Sequence, residues 1–377
     1  MTHRLLQRTP VEQHCLTHSH VARITTPSFA RFSISTGPIG IENLAAAERE
    51  IRTCADERRA TILGQRVFGA HEAGASVAVS PEKILGKGGW PLTWVQGHKR
   101  PGMEGFSIQT VAMSGPTAEP VRLDGKTVGF TFEDEDAIYC LLGNLSAAAT
   151  GKNTEQALDL LCRAESALRL AGLSFSDVVR TWFYIDEIQS WYADFNQVRT
   201  KFFSERGILA GLIPASTGIG TANAAGKALV ADVFAVKPKN QNVRICGVQS
   251  PLQCGAPAYG SSFSRAVEVQ RGKQRDLYVS GTASIDPVGR TVYLGNTAKQ
   301  VAHTLCVVEA ILKSRAMEWA DVTRAVAYCR SESDREVLGG YCRQVGLPQF
   351  PVTVAAPIEI CRSDLLFEIE VDAVAAG

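Results

Sequence analysis

Two stretches of this chain carry the same pattern. Asp177-Val178-Val179-Arg180-Thr181-Trp182-Phe183-Tyr184 opens a block that continues through Phe202-Phe203 to Pro214-Ala215-Ser216 and an apolar run over 228–236. Asp321-Val322-Thr323-Arg324-Ala325-Val326-Ala327-Tyr328 opens a second, continuing through Tyr341 to Pro351-Val352-Thr353 and a run over 365–371. A repeat this long requires two copies of one folding unit, each burying a face against its neighbour. It also creates two kinds of place for a ligand, within a copy and between copies.

The pattern inside each copy predicts an α+β unit. Apolar, turn-bounded runs at 128–132 and 137–142 predict strands. Ala157, Leu161, Ala164, Leu168 and Ala171 recur at steps of four and three, which predicts a helix over 154–171 ending at Gly172. A strand over 178–185, a helix over 191–205 and the strand over 228–236 follow. The later copy repeats the order, with strands at 263–269, 276–280, 322–329 and 365–373. Its helices are expected at 297–314, where Val301, Leu305, Val308 and Leu312 form the core stripe, and at 334–344. Each unit therefore reads ββαβαβ, with helices on one face of a mixed sheet. Covering the other face is achieved by packing sheet against sheet into a barrel-like core with the helices outside.

The predicted organisation is a flexible tail over 1–20, an N-terminal α+β domain over 21–124, and units over 125–240 and 241–377. The N-terminal domain carries a helix at 41–51, strands at 60–67 and 30–35, alternation at 76–79 and a glycine cluster at 86–89; it reads as a degenerate further copy. Lys237-Pro238-Lys239-Asn240-Gln241-Asn242 is the expected linker. His14, Cys15, His18 and His20 resemble a metal-ligand cluster, but no second cluster accompanies them, and an unliganded tail is the expectation.

The formal charge of +1 argues against nucleic-acid or membrane-surface binding driven by bulk electrostatics. No apolar stretch approaches the roughly 20 residues that span a bilayer. Ten scattered cysteines without a CxxC pair predict reduced thiols and a cytoplasmic protein.

Leu277-Tyr278-Val279-Ser280-Gly281, the helix after it, the Asp-Val-x-Arg strand opening and a Pro-containing loop before a Glu-Ile-Glu strand resemble the RidA/YjgF fold, a trimer of small α+β subunits with ligand sites between subunits. A narrower set occurs in order: Arg180-Thr181-Trp182-Phe183-Tyr184, Phe195-Asn196, 214–220, Ser262-Phe263-Ser264-Arg265-Ala266, Ser280-Gly281-Thr282-Ala283-Ser284 and 361–370. Together these resemble the chorismatase family, which cleaves chorismate to pyruvate and a cyclic acid. The resemblance implies a RidA-type trimer folded into one chain as a pseudo-trimer, and hence a monomer. It also marks a departure. RidA-type enzymes carry an Arg before the last strand and a Glu fifteen residues later. Here Thr353 stands at the Arg position and Glu368 is kept, while the earlier copy has Ser216, so imine chemistry of the usual form is not expected.

The candidate acid can be argued from the strand itself. Along 365–371 side chains alternate, so Leu365, Phe367, Ile369 and Val371 face the helices while Leu366, Glu368 and Glu370 face the other way. A solvated sheet face is the plain alternative. If another unit covers that face, Glu368 is a desolvated carboxyl with a raised pKa and a proton donor near neutral pH. An enol ether such as chorismate needs that donor at its terminal methylene, and general acid–base catalysis and positioning suffice without a cofactor or metal. The resemblance further pairs Gly281 with Cys361, seven residues before Glu368, as in family members that form hydroxybenzoate. The expected product is therefore 3-hydroxybenzoate, with some 4-isomer; hydrolysis to a dihydroxycyclohexadiene carboxylate is the alternative.

The expected substrate-binding residues are Arg265, Arg199, Tyr184, Gly281, Ser216 and Thr217, with Arg180, Arg324 and Arg330 as further cations and Tyr139 as a further hydrogen-bond donor. Arginine is the natural bidentate partner of a carboxylate. Gly218-Ile219-Gly220 is expected to form a turn close to the ligand. A non-catalytic, RidA-like metabolite-binding module remains the reading from another class.

Overall fold

The computed structural model describes residues 11–69, 88–96 and 105–376. The alternating run at 76–79 and part of the glycine cluster at 86–89 lie outside them. Three ββα-led units follow one another. The first has β1 Val11–Cys15, β2 Ser19–Thr25, β3 Ala30–Thr36, α1 Ile41–Glu57, β4 Thr61–Phe68, β5 Leu92–Gln96 and β6 Ser107–Ser114. The second has β7 Glu119–Leu123, β8 Lys126–Glu133, β9 Ala137–Ser146, α2 Asn153–Leu170, β10 Val178–Ile185, α3 Ile188–Glu205, β11 Ala215–Gly220, β12 Ala222–Asn223 and β13 Leu229–Pro238. The third has β14 Val243–Val248, β15 Ala266–Arg271, β16 Gln274–Ala283, α4 Thr297–Ser314, β17 Val322–Cys329, α5 Arg335–Val345, β18 Val352–Ala355, β19 Glu359–Ile360 and β20 Phe367–Ala376.

The N-terminal sheet has the same strand order as the other two. The central five strands run β2-β3-β6-β4-β5 in the first sheet, β8-β9-β13-β10-β11 in the second and β15-β16-β20-β17-β18 in the third. The pair that closes each unit is interrupted at the same place, between Ile62 and Gly64, Val178 and Arg180, and Val322 and Arg324. Those bulges fix the correspondence: Arg66, Trp182 and Val326 are equivalent, and opposite them stand Gln109, Asp232 and Glu370. A register shared at this level is what a repeated unit predicts, because a one-residue slip would turn every side chain to the wrong face.

Helix stripes and one sheet face make a separate core in each unit. Leu161, Leu168, Phe183 and Phe202 pack in the second, and Val301, Leu305, Phe367 and Ile369 in the third. The other faces meet one another: Leu63 and Met113, Phe130 and Tyr139, and Val267 and Tyr278 share one cluster drawn from all three sheets. The units are also locked by a cyclic set of polar contacts. Glu370 of the third unit accepts from Arg180 Nη2 of the second at 2.9 Å. Asp232 of the second accepts from Thr93 Oγ1 of the first at 2.6 Å and from Arg66 at 2.5 Å. Gln109 of the first donates to Thr353 Oγ1 of the third at 3.2 Å and accepts from Arg324 Nε at 3.0 Å. Pairing offsets the cost of burying these charges, so the ring specifies how the copies are arranged.

Several expectations change. Residues 11–20 are not a tail: β1 and β2 form an antiparallel pair at the sheet edge, and His14 faces Arg58, 3.0 Å from its Nη2. Among the described residues no group of three His, Cys, Asp or Glu is placed to hold a metal. The last strand begins at Phe367, not at 365, and the strand expected at 263 begins at Ala266. Gly218-Ile219-Gly220 is strand, inside β11; a Cβ on Gly220 would overlap Ile188 and Glu359, so this glycine lets α3 and β19 close on the strand. The register also pairs Trp182 with Thr217 and Val326 with Thr353, which makes Thr217, not Ser216, the counterpart of Thr353. Of the expected linker, Lys237 and Pro238 belong to β13; residues 239–242 join β13 to β14, with Asn240 and Asn242 donating to Asp136.

Candidate active site

The seam between the second and third units opens into a cavity of about 550 Å³ lined by α3, β11, the segment before β15, the end of β16 and the loop before β20. Two elements shape it from opposite sides. Residues four and three apart on α3, Tyr192, Asn196 and Arg199, put one helix stripe on the cavity. The third unit contributes Tyr259, Phe263, Arg265, Gly281, Cys361 and Glu368. Pairing of β19 with β11 ties the Cys361 loop to the second unit's sheet.

Glu368 is 5% exposed and stands opposite Tyr328 on β17 and Ala283 on β16. Its carboxyl is pushed up to about 8, first by burial and then by the negative charge of Glu370; Arg180 and Arg265 oppose the shift. Glu370, two residues on, goes the other way. Burial alone would raise it, but Arg324, Arg180 and Arg66 hold it down at about 2, helped by a hydrogen bond from Thr217. Trp182 Nε1 donates to its other oxygen at 2.9 Å, and Arg324 Nη2 also bonds that oxygen. Two carboxyls on one strand face thus end in opposite states, one fixed as an anion and the other neutral at pH 7. No hydrogen bond involves the Glu368 carboxyl among the described residues, which leaves its proton available to a ligand.

Gly281 explains how that carboxyl reaches the cavity. A Cβ at this position would overlap Glu368 Oε1 and lie 3.3 Å from Thr217 Cγ2. The glycine backbone is therefore the seat of the carboxyl. Its N–H donates to Thr217 Oγ1 at 3.0 Å, and Arg180 Nη2 donates to the same oxygen at 2.6 Å. Thr217 holds the wall from behind and does not line the cavity. Ser216 does line it; its N–H donates to Ser280 Oγ at 2.8 Å and its hydroxyl accepts from Thr181 at 2.9 Å.

The cations divide cleanly. Arg180 and Arg324 are buried in ion pairs with Glu370, Arg330 bonds the carbonyls of Arg362 and Ser363, and none of the three lines the cavity. Arg199 and Arg265 differ. Both are buried, both line the cavity, and neither has an ion-pair partner among the described residues. Arg199 gives Nη2 to Asn196 Oδ1 at 2.6 Å and Nη1 to Ser216 at 3.4 Å, while its Nε has no partner. Arg265 gives Nε to the Cys254 carbonyl at 2.9 Å, while its Nη2 has none. Burial lowers the pKa of Arg199. Two such guanidiniums beside a neutral Glu368 leave the cavity two negative charges short.

Cys361 lines the cavity half-buried, its thiol pushed up to about 12 by burial and by Glu368. It is a neutral thiol, suited to shaping the wall and not to nucleophilic attack. Tyr184 is not in the cavity: it is buried between sheets with Trp182, Tyr328 and Phe68, its hydroxyl without a partner. Tyr139 likewise belongs to the shared core, against Phe29 and Phe132. Tyr192 and Tyr259 are the additions that sequence reasoning missed. Their phenols are raised by burial, Tyr259 to about 12, so both are neutral donors at the cavity wall.

Comparison with known proteins agrees with this picture. The endoribonuclease L-PSP family model matches residues 255–375, the third unit. A 3-hydroxybenzoate synthase of Streptomyces hygroscopicus is 24% identical over 303 residues, covering 71% of this chain and 85% of that protein. A chorismatase of Streptomyces rapamycinicus is 27% identical over 227 residues, 53% of this chain and 65% of that protein. A solved chorismatase structure superposes with a TM-score of 0.60 at 21% identity, over 83% of this chain and 93% of the other. The order of motifs, the repeated unit and these matches agree, and the chain belongs in fold with the chorismatases, three RidA-like units joined in one polypeptide.

Proposed function

We propose that this chain converts chorismate to pyruvate and hydroxybenzoate, chiefly the 3-isomer. The observation that carries the reading is the charge state of the cavity: two unpaired, buried arginines face a carboxyl that keeps its proton at pH 7. Chorismate is a dianion with an enol ether, so it supplies the two missing charges and the group to be protonated. Arg199 and Arg265 would each take one carboxylate, with Tyr192, Tyr259 and Asn196 as hydrogen-bond partners around the ring.

Glu368 then gives its proton to the terminal methylene of the enolpyruvyl group. The ring hydroxyl attacks the neighbouring carbon, the bond from that carbon to the enolpyruvyl oxygen breaks, and the pair of electrons leaves with pyruvate. The hydroxyl proton returns to Glu368, and the arene-oxide-like ring rearranges to hydroxybenzoate, so no water is consumed. A glycine at 281 and a neutral thiol at 361 keep the floor close under the ring. Curated relatives named for 3-hydroxybenzoate and for chorismatase activity support the same chemistry.

We further propose that the three sheets mark three structural domains, and that the protein acts as a monomer, because one chain supplies both sides of the seam. The ten cysteines are all free thiols, which supports a reducing, cytoplasmic setting. No helix among the described residues is long and apolar enough to cross a membrane. Titrating Glu368→Gln with chorismate tests the catalytic assignment: binding within a few-fold of the parent with turnover lost is expected, and retained turnover refutes it.

A further inference from the structure

The same threefold register that builds the seam between the second and third units builds another between the third and first. There α5 and β18 stand where α3 and β11 stand, and β2 and β3 where β15 and β16 stand. This seam also opens into a cleft, of about 780 Å³, lined from both units. The bulge-anchored correspondence shows what replaces each active-site group. Ser107 faces Phe68 as Glu368 faces Tyr328, so the acid is gone. His20 pairs with Ser35 where the Arg265 carbonyl accepts from the N–H of Ser280, so a histidine replaces that arginine. Leu338 lies eight residues before the left-handed Gly346 that ends α5, as Arg199 lies eight before the left-handed Gly207 after α3; the second arginine has become leucine. Val352 and Val354 take the strand positions of the cavity wall.

These exchanges define a ligand. With neither acid nor arginine pair, the cleft has no means of protonating an enol ether or of neutralising a dianion. It keeps Arg343, which has no ion-pair partner among the described residues, and His20, whose Nδ1 is buried without a hydrogen-bond partner. The other arginine there, Arg335, is committed to the carbonyls of Val354 and Ala356 and to Glu332. Leu338, Phe350, Val352 and Val354 supply apolar walls. One unpaired cation, one unpaired polar atom and an apolar floor match a ring bearing a single carboxylate.

We propose that the seam between the third and first units is a second, non-catalytic binding site for an aromatic monocarboxylate. The hydroxybenzoate formed in the reaction proposed above belongs to that class, and only this last link, product retention at a second site, rests on that reading.

The test uses the full-length protein titrated with benzoate and with 3-hydroxybenzoate by calorimetry and ligand-observed NMR. Val354→Trp is expected to abolish one class of site for both probes while chorismate turnover stays unchanged. Arg343→Gln, at an exposed position that tolerates change, is expected to weaken the same class on the order of tenfold. Benzoate binding that is indifferent to both substitutions overturns the second site. Failure of chorismate turnover would strike the proposed reaction and leave the benzoate result standing, so the two failures are distinguishable.

Discussion

Replacing Glu368 by glutamine should make the protein more stable above pH 5 even as it loses turnover. In the unfolded chain this carboxyl ionises near the ordinary 4.5; in the folded chain it is held at about 8. The folded state therefore binds the proton more tightly, and the group's contribution is fully present below about pH 4.5 and lost as pH rises towards 8. At pH 7 the loss is about 3 kcal/mol, and above pH 8 it levels off near 5 kcal/mol, at 1.4 kcal/mol for each tenfold step in proton activity. Glutamine has the same shape and does not ionise. Urea unfolding of the parent and Glu368→Gln at pH 5, 7 and 9 measures the difference, and comparing it across pH cancels the fixed cost of an amide in that place. A stability gain that grows by about 2–3 kcal/mol from pH 5 to 7 is expected, since about 1 kcal/mol is already lost at pH 5. The same difference at all three values would refute the sheltered carboxyl.

Other expectations follow from the same geometry. Gly281→Ala should cost on the order of a hundredfold in kcat with little change in stability, because the new methyl takes the carboxyl's place and shifts it by about 1 Å; thermal unfolding alongside steady-state rates separates the two effects. Arg199→Met and Arg265→Met should each raise KM for chorismate by tenfold or more, since each removes a charged partner of one carboxylate. Glu370→Gln should destabilise by about 3–5 kcal/mol, measured by urea unfolding, because it strands Arg180 in the core and leaves Arg324 with Asp372 alone. Cys361, with its thiol near 12, should react slowly with iodoacetamide at pH 7.5 compared with the exposed Cys246, as peptide mapping would report.

The elements that pack against their own unit were legible in the sequence. The bounds of α4 are those that its helix stripe predicts, and β10 and β17 span the expected 178–185 and 322–329 as continuous runs buried on both faces. Glu368, Gly281, Cys361, Arg199, Arg265 and Ser216 do meet at one cavity. What the sequence hides is which unit covers a polar face. Tyr184 and Arg180 carry the same signs as ligand-binding residues, yet the sheet of a neighbouring unit buries them in the interior network. The histidines near the start read as a terminal cluster because β2 owes its order to pairing with β3, as far on as residue 36, and β3 in turn to pairing with β6, as far on as residue 114. Tyr192 had a readable signal: it precedes Asn196 by four and Arg199 by seven, on one helix stripe. Tyr259 sits in a short turn after Gly255 and gave none.

The most direct test is incubation of the purified protein with chorismate at pH 7, with both products identified by mass and absorbance. Equimolar pyruvate and 3-hydroxybenzoate from the parent, and neither from Glu368→Gln, is the predicted result. A non-aromatic dihydroxy acid, or unchanged product formation without the carboxyl, would contradict the account.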